Sequence, residues 1–196
     1  TEMSGPISVV AREEGSGTRG AFVELMGVVD EDDNDITTLN AEITNSTSVM
    51  LTTVAGNPSA IGYVSLGSLS DDVKAVKVDG AEATAENVKS GEYAVARPFL
   101  LAYKDGSLSD VAQDFLAFIM SADGQKIISD EGYISVEEGE AYTASGLTGK
   151  VVLDGSTSIA PVMEALADAY KALNPDVTVE IQQTGSGAGI TSAIEG

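Results

Sequence analysis

The chain has 196 residues, 43% of them hydrophobic, enough for a globular core in one domain or two small lobes. It contains neither cysteine nor histidine, which removes disulfides, thiolate nucleophiles, Ser-His-Asp chemistry and the usual zinc sites. Ten Lys and Arg against 31 Asp and Glu give a formal net charge of −21, so nucleic-acid phosphates and anionic lipid are repelled and are not expected partners.

The first strand signal is the apolar run Ile7–Ala11. It leads into Arg12-Glu13-Glu14-Gly15-Ser16-Gly17-Thr18 and then an amphipathic helix over Arg19–Val28. An acidic loop, Asp30-Glu31-Asp32-Asp33-Asn34-Asp35, precedes a helix over roughly Thr44–Ala55. Strands are expected at Ala60–Ser65, Val73–Val78 and Val95–Tyr103, with a helix at Ala83–Ser90 between the last two. Two helices follow, Ser109–Ser121 and Ala122–Glu131; in the first, Val111, Phe115, Phe118 and Ile119 recur at helical spacing. Val136–Gly149 has no periodicity, is rich in small or charged residues and reads as a linker. Beyond it come a strand (Val151–Asp154), the turn Gly155-Ser156-Thr157-Ser158 and a helix over Ile159–Asn174 that tolerates Pro161 in its first turn. A strand at Val177–Gln182 and the loop Thr184-Gly185-Ser186-Gly187-Ala188-Gly189 then open a last helix. Strands alternating with helices argue for an α/β fold with mostly parallel sheets.

Three of these strand-to-helix junctions carry the same chemistry. Gly15 and Gly17 let successive N–H groups converge, Ser16 and Thr18 add hydroxyls, and a helix N-terminus stands behind them. Arg12 adds a planar fork matched to two oxygens of an anion. The turns at Gly155–Ser158 and Thr184–Gly189 repeat the Gly, Ser and Thr donors, so the pattern points to one oxyanion held by neutral donors and a single arginine. The acidic surface does not forbid this, because salt screens exposed charges beyond about 8 Å while aligned dipoles act at contact distance. The acidic loop lacks the glycine at its sixth position and has Ala41 at the twelfth, where calcium loops need a bidentate acid. It is expected to be a solvated loop, and no metal is expected. Arg19 is expected to be structural or a rim charge, and Tyr63, Tyr93, Phe99 and Tyr103 to serve packing.

The segments VVAREEGSGTRG (Val9–Gly20), NPSAIGYVSLG (Asn57–Gly67), ARPFLLA (Ala96–Ala102), VVLDGSTSIAP (Val151–Pro161) and IQQTGSGAGI (Ile181–Ile190) together resemble the phosphate-binding subunit of phosphate ABC importers. That family has the type II periplasmic-binding-protein fold, and the likeness is to its Gram-positive lipoprotein form. The resemblance implies binding of inorganic phosphate in an interlobe cleft for delivery to an ABC permease, with no catalytic residue and no cofactor. Arg12, Ser16, Gly17 and Thr18 would contact phosphate from the second lobe, and Thr157, Ser158 and Ser186 from the first. Glu14 would orient the arginine. The family's location is extracellular, lipid-anchored or periplasmic; the stretch Thr1-Glu2-Met3-Ser4-Gly5 is no signal segment.

In that family the Gly-Ser-Thr-Ser segment normally comes first. Here the order is reversed, as in a circular permutation. The resemblance divides the chain into a second lobe (1–94), a return strand with C-terminal helices of the first lobe (95–136), a linker (137–149) and the original N-terminal part of the first lobe (150–196). A family stretch carrying the aspartate that accepts the phosphate proton is missing, so the first lobe is expected to be incomplete. Weak binding, or poor discrimination from sulfate, is the consequence expected. Two alternatives remain at this point: another tetrahedral oxyanion, or a permuted or truncated chain with little ligand binding that swaps elements into a homodimer. An enzyme acting on phosphate esters is disfavoured, since the chain offers no histidine base.

Overall fold

Strand β1 (Ser8–Arg12) carries the apolar run Val9–Ala11, and its last three residues, Val10, Ala11 and Arg12, are all buried. It occupies the centre of a three-stranded parallel sheet, flanked by β2 (Glu42–Thr44) and β3 (Ala60–Ile61). The computed structural model that shows this describes residues 5–136 and 139–195. Glu137 and Glu138 of the expected linker, with residues 1–4 and 196, lie outside the described residues.

Contacts divide the chain into two compact units, one up to Pro98 and one from Phe99 onward. In unit 1, helix α1 (Gly17–Met26) follows β1, and α2 (Thr47–Gly56) follows β2. Helix α1 stops because Gly27 takes a left-handed φ of 65° and returns its N–H to Glu24 and Val23 carbonyls. Met50 of α2 and Val23 of α1 bury their side chains with Val10 and Ala11 to form the small core. A short 3-10 turn (Leu66–Ser68) and helix α3 (Ala85–Ser90), capped by the Thr84 hydroxyl, complete the unit.

Unit 2 has the larger core. Helices α4 (Asp110–Met120), α5 (Ala122–Asp130) and α6 (Ala160–Leu173) pack with the parallel pair β4 (Gly149–Asp154) and β5 (Val177–Gln182). Phe115, Phe118, Leu166 and Tyr170 are each no more than 1% exposed and, with Val111, Val151, Val162 and Met163, form one contiguous cluster. Truncating either phenylalanine to alanine there costs about 3–5 kcal/mol. Helix α7 (Ser186–Glu195) follows β5. Both sheets are parallel and helix-flanked, so the fold is the expected α/β.

Residues 139–148 have no regular structure, yet they are pinned. The Tyr142 N–H donates to Asp123 Oδ2 at 2.7 Å, and the Glu140 carbonyl accepts from the Ala122 N–H at 3.0 Å. Asp114 Oδ2 accepts from the Tyr142 hydroxyl (2.5 Å), the Tyr170 hydroxyl (2.6 Å) and Ser145 Oγ (2.8 Å). Burial alone would raise the Asp114 pKa, but these three donors hold it below the ordinary value.

Two expected strands do not form. Val95–Tyr103 is interrupted by Pro98, which has no N–H for a ladder, and Leu100 in this run is 81% exposed. Val73–Val78 finds no strand to pair with, beyond the single antiparallel bridge Val78–Ala81. The expected strand Ala60–Ser65 shortens to β3, and β2 takes the first residue assigned by sequence to the second helix, whose N-terminus moves to Thr47.

Candidate functional site

Arg12 is the last residue of β1 and is 2% exposed. A guanidinium so enclosed must be hydrogen-bonded. Its Nε and Nη2 donate to Glu13 Oε2 and Oε1 at 2.9 and 3.0 Å, a two-pronged pair, and Nη1 donates to Thr47 Oγ1 at 3.3 Å. Sequence pointed to Glu14 as the carboxylate on this fork. In the structure Glu14 is exposed at the turn, while Glu13 holds Nε and Nη2. The chain turns away immediately beyond Glu14, with Gly15 at φ 83°, where the absence of a Cβ matters.

The turn delivers Ser16 as the N-cap of α1: its hydroxyl accepts from the Arg19 N–H at 3.3 Å and is buried at 7% exposure. Gly17 and Thr18 are the first two residues of α1, so their N–H groups lie at the positive end of that helix. Four of the expected residues, Arg12, Ser16, Gly17 and Thr18, are thus gathered at one end of β1.

Arg19 does more than was expected of it. Its Nη1 donates to the Arg12 carbonyl at 2.8 Å and its Nε to Asp35 Oδ2 at 2.6 Å. Burial opposes ionisation of Asp35, but bonds from Arg19 and Thr37 prevail and bring its pKa to about 2. The Asp30 carboxylate accepts instead from Asn34 and from the Asp32 N–H, so the acidic loop spends two of its carboxylates on its own backbone and on Arg19. The Arg12 N–H donates to the Tyr63 hydroxyl at 3.0 Å, and Tyr63 stacks on Phe22 of α1 with centroids 4.2 Å apart. Burial pushes the Tyr63 pKa up.

Thr47 is the residue that sequence reading passed over; Tyr63 was expected to serve packing and also accepts from the Arg12 N–H, and Glu13 rather than Glu14 takes the fork. Thr47 had a legible signal: Thr44-Asn45-Ser46-Thr47-Ser48 is a fourth strand-to-helix junction rich in hydroxyls, lacking only glycine.

In unit 2, Thr157, Ser158 and Ser186 stand on two adjoining loops. Ser158 is wholly buried; its N–H donates to Ser156 Oγ at 3.2 Å and its carbonyl accepts from the Tyr133 hydroxyl at 2.6 Å. Neither Thr157 nor Ser158 is the N-cap of α6: that position is Ile159, without a side-chain cap bond. Thr157 is half-buried, and Ser186 is the half-buried first residue of α7. The two loops meet through a 2.8 Å bond from the Gly185 N–H to the Gly155 carbonyl. Asp154, ending β4, accepts from Thr184 Oγ1 and, at 2.9 Å, from Ser192 Oγ. Gly189 makes the approach possible: a Cβ there would lie 2.6 Å from the Asp154 carbonyl oxygen and 2.8 Å from Gly155 Cα. Among the described residues no cluster of acidic side chains could hold a metal ion, and no helix is long and apolar enough to cross a membrane.

Some relatives match this chain over nearly its whole length and others over about two thirds of it. A family model described as a PBP superfamily domain matches residues 2–123 and 140–196. Phosphate-binding protein PstS 2 of Streptococcus agalactiae is 50% identical over 200 residues, covering 100% of this chain and 68% of that protein. The crystal structure of a phosphate ABC transporter phosphate-binding protein from Streptococcus pneumoniae is 46% identical, with a TM-score of 0.75 over 97% of this chain and 76% of that one. A phosphate ABC transporter substrate-binding protein from Clostridium perfringens, solved with bound phosphate, is 44% identical with a TM-score of 0.64, covering 69% of this chain and 54% of that one. With the type II fold, the Arg12 junction and these relatives in agreement, the chain belongs to the PstS phosphate-binding proteins of the PBP superfamily.

Proposed function

We propose that this chain binds inorganic phosphate reversibly for ABC-type import and releases it unchanged. The observation that carries this reading is a buried arginine at the end of β1, directly before a Ser-Gly-Thr helix N-terminus. In unit 1 the contacts are Arg12, Ser16, Gly17 and Thr18; unit 2 contributes donors from Thr157, Ser158 and Ser186. The Glu13 carboxylate fixes the direction of the fork and offsets part of its charge, so affinity comes mostly from oriented, charge-assisted donors rather than from net attraction. That is how a protein of formal net charge −21 can hold an anion. The names of its relatives support the reading, since they are called phosphate-binding and, in one case, contain phosphate.

The partner is then an ABC permease and the place of action is outside the cytoplasm. The altered order of segments is read here as that of a natural protein; in support, one alignment with the Streptococcus agalactiae relative covers the whole chain, whereas the likeness to the Clostridium perfringens structure covers 69%. Calorimetric titration with phosphate and with sulfate tests the function. Saturable phosphate heat that is absent for Arg12→Ala supports it; no phosphate heat from the wild type refutes it.

A further inference from the structure

We propose that Tyr63 and Arg19 are positioning residues for Arg12, acting on its main chain rather than on its guanidinium. The proposal rests on the phosphate reading for its consequence and on the register of the sheet for its physics. Strand β1 pairs with β2 through Val10–Glu42, Ala11–Ile43 and Arg12–Thr44, and the Glu13 N–H donates to the Thr44 carbonyl. In a parallel ladder, Glu13 therefore faces β2, and Arg12 turns both its N–H and its carbonyl to the opposite side, toward β3.

On that side the ladder starts with the Ser8 N–H on the Ser59 carbonyl. Stepping two residues along each strand brings Val10 to Ile61 and Arg12 to Tyr63. But β3 ends at Ile61. The strand that should have held Arg12 has stopped one step short, at the residue whose direction matters most.

Two side chains fill the gap. The Tyr63 hydroxyl accepts from the Arg12 N–H at 3.0 Å, in place of the carbonyl the register calls for. The Arg19 guanidinium donates to the Arg12 carbonyl at 2.8 Å, in place of a strand N–H. Both substitutes are themselves held. Tyr63 lies flat on Phe22, with rings 4.2 Å apart and 7° from parallel, and Arg19 is braced by Asp35 at 2.6 Å. Phe22 and Arg19 belong to α1, the helix whose first residues are the expected anion donors. The clamp thus locks the arginine and the Ser16-Gly17-Thr18 donors into one piece. Lysine at position 19 cannot replicate it, because one ammonium cannot offer a fixed fork to both the Arg12 carbonyl and Asp35.

The test uses the whole chain, with Tyr63→Phe and Arg19→Lys as variants. Tyr63→Phe keeps the stack on Phe22 and removes only the acceptor. Two quantities are read: phosphate affinity by calorimetry, and solvent exchange of the Arg12 Nε–H by NMR without phosphate, where three arginines give an assignable spectrum. A buried N–H left unpaired should loosen Arg12, speeding that exchange and weakening phosphate binding each by about tenfold, the size of one unsatisfied buried donor. The Arg97 Nε–H, whose neighbour Nη1 pairs with exposed Glu24, should not change. Exchange and affinity both within about twofold of wild type would overturn the proposal, as would weaker binding with unchanged Arg12 exchange, which would place the loss elsewhere than at Arg12. If Tyr63→Phe does not fold, Arg19→Lys carries both readouts. A wild type silent to phosphate refutes the phosphate reading instead, and the exchange measurement still decides whether these two residues hold Arg12.

Discussion

Replacing Asp114 with asparagine should destabilise unit 2 while leaving its shape intact. Asp114 Oδ2 accepts three hydroxyl protons, from Tyr142, Tyr170 and Ser145, and these tie α4 to α6 and to residues 139–148. A hydrogen bond to a carboxylate contributes about 1.5–3 kcal/mol and one to a neutral acceptor about 0.5–1.5, so each of the three weakens by roughly 1 kcal/mol. Asparagine can rotate its carbonyl toward some of the donors and the group is partly exposed, which leaves a net loss of about 2 kcal/mol. For a unit of about 100 residues that lowers the melting midpoint by about 10 °C. The pH dependence gives an independent check. The folded pKa of Asp114 lies below its unfolded value, so between the two the unfolded state binds more protons. The stabilisation is therefore complete above the ordinary aspartate pKa of about 4 and fades as pH falls through the lower folded value. Thermal melts of wild type and Asp114→Asn at pH 7 and at descending pH should converge. A variant that melts with the wild type at pH 7, or a gap that does not narrow in acid, would refute the network's role.

Gly189→Ala should cost stability and weaken phosphate binding together, since its Cβ would meet the Asp154 carbonyl at 2.6 Å and push α7 off β4; overpacking of this kind costs about 1–3 kcal/mol, readable by chemical denaturation. The Arg19–Asp35 pair should contribute fully above pH 4 and fade toward pH 2, because the Asp35 pKa is depressed to about 2; acid titration of Asp35→Asn, followed by NMR signals of unit 1, should lack that step. Thr47→Val should leave the fold in place and reduce phosphate affinity severalfold by removing the Thr47 Oγ1 partner of Arg12 Nη1; calorimetry decides it.

The parts of the fold set by local pattern were legible in the sequence. Val111, Phe115, Phe118 and Ile119 sit at helical spacing and all four are buried in α4; Val177–Gln182 is β-branched, bounded by turn residues, and forms β5 with those limits. Where pairing rather than pattern decides, the sequence reading failed. Val73–Val78 is rich in valine like a strand but has no partner ladder, and Glu42–Thr44 is too short to announce itself yet pairs along β1. The site followed the same division. Arg12, Ser16, Gly17 and Thr18 are neighbours in sequence and so could be read together. The choice of Glu13 over Glu14 depends on where the chain turns at Gly15, and the roles of Thr47 and Tyr63 depend on contacts 35 and 51 residues away. Arg19 was expected to be structural or a rim charge, but its partner was not legible because the bond runs to a main-chain carbonyl, which no motif records.

The most direct test of the account is a phosphate titration of wild type beside Arg12→Ala, with melting curves for both. The wild type should bind phosphate saturably, and Arg12→Ala, still folded, should lose at least about 100-fold in affinity, as expected when a charge-assisted donor pair is removed. A folded Arg12→Ala variant with unchanged affinity would contradict the account.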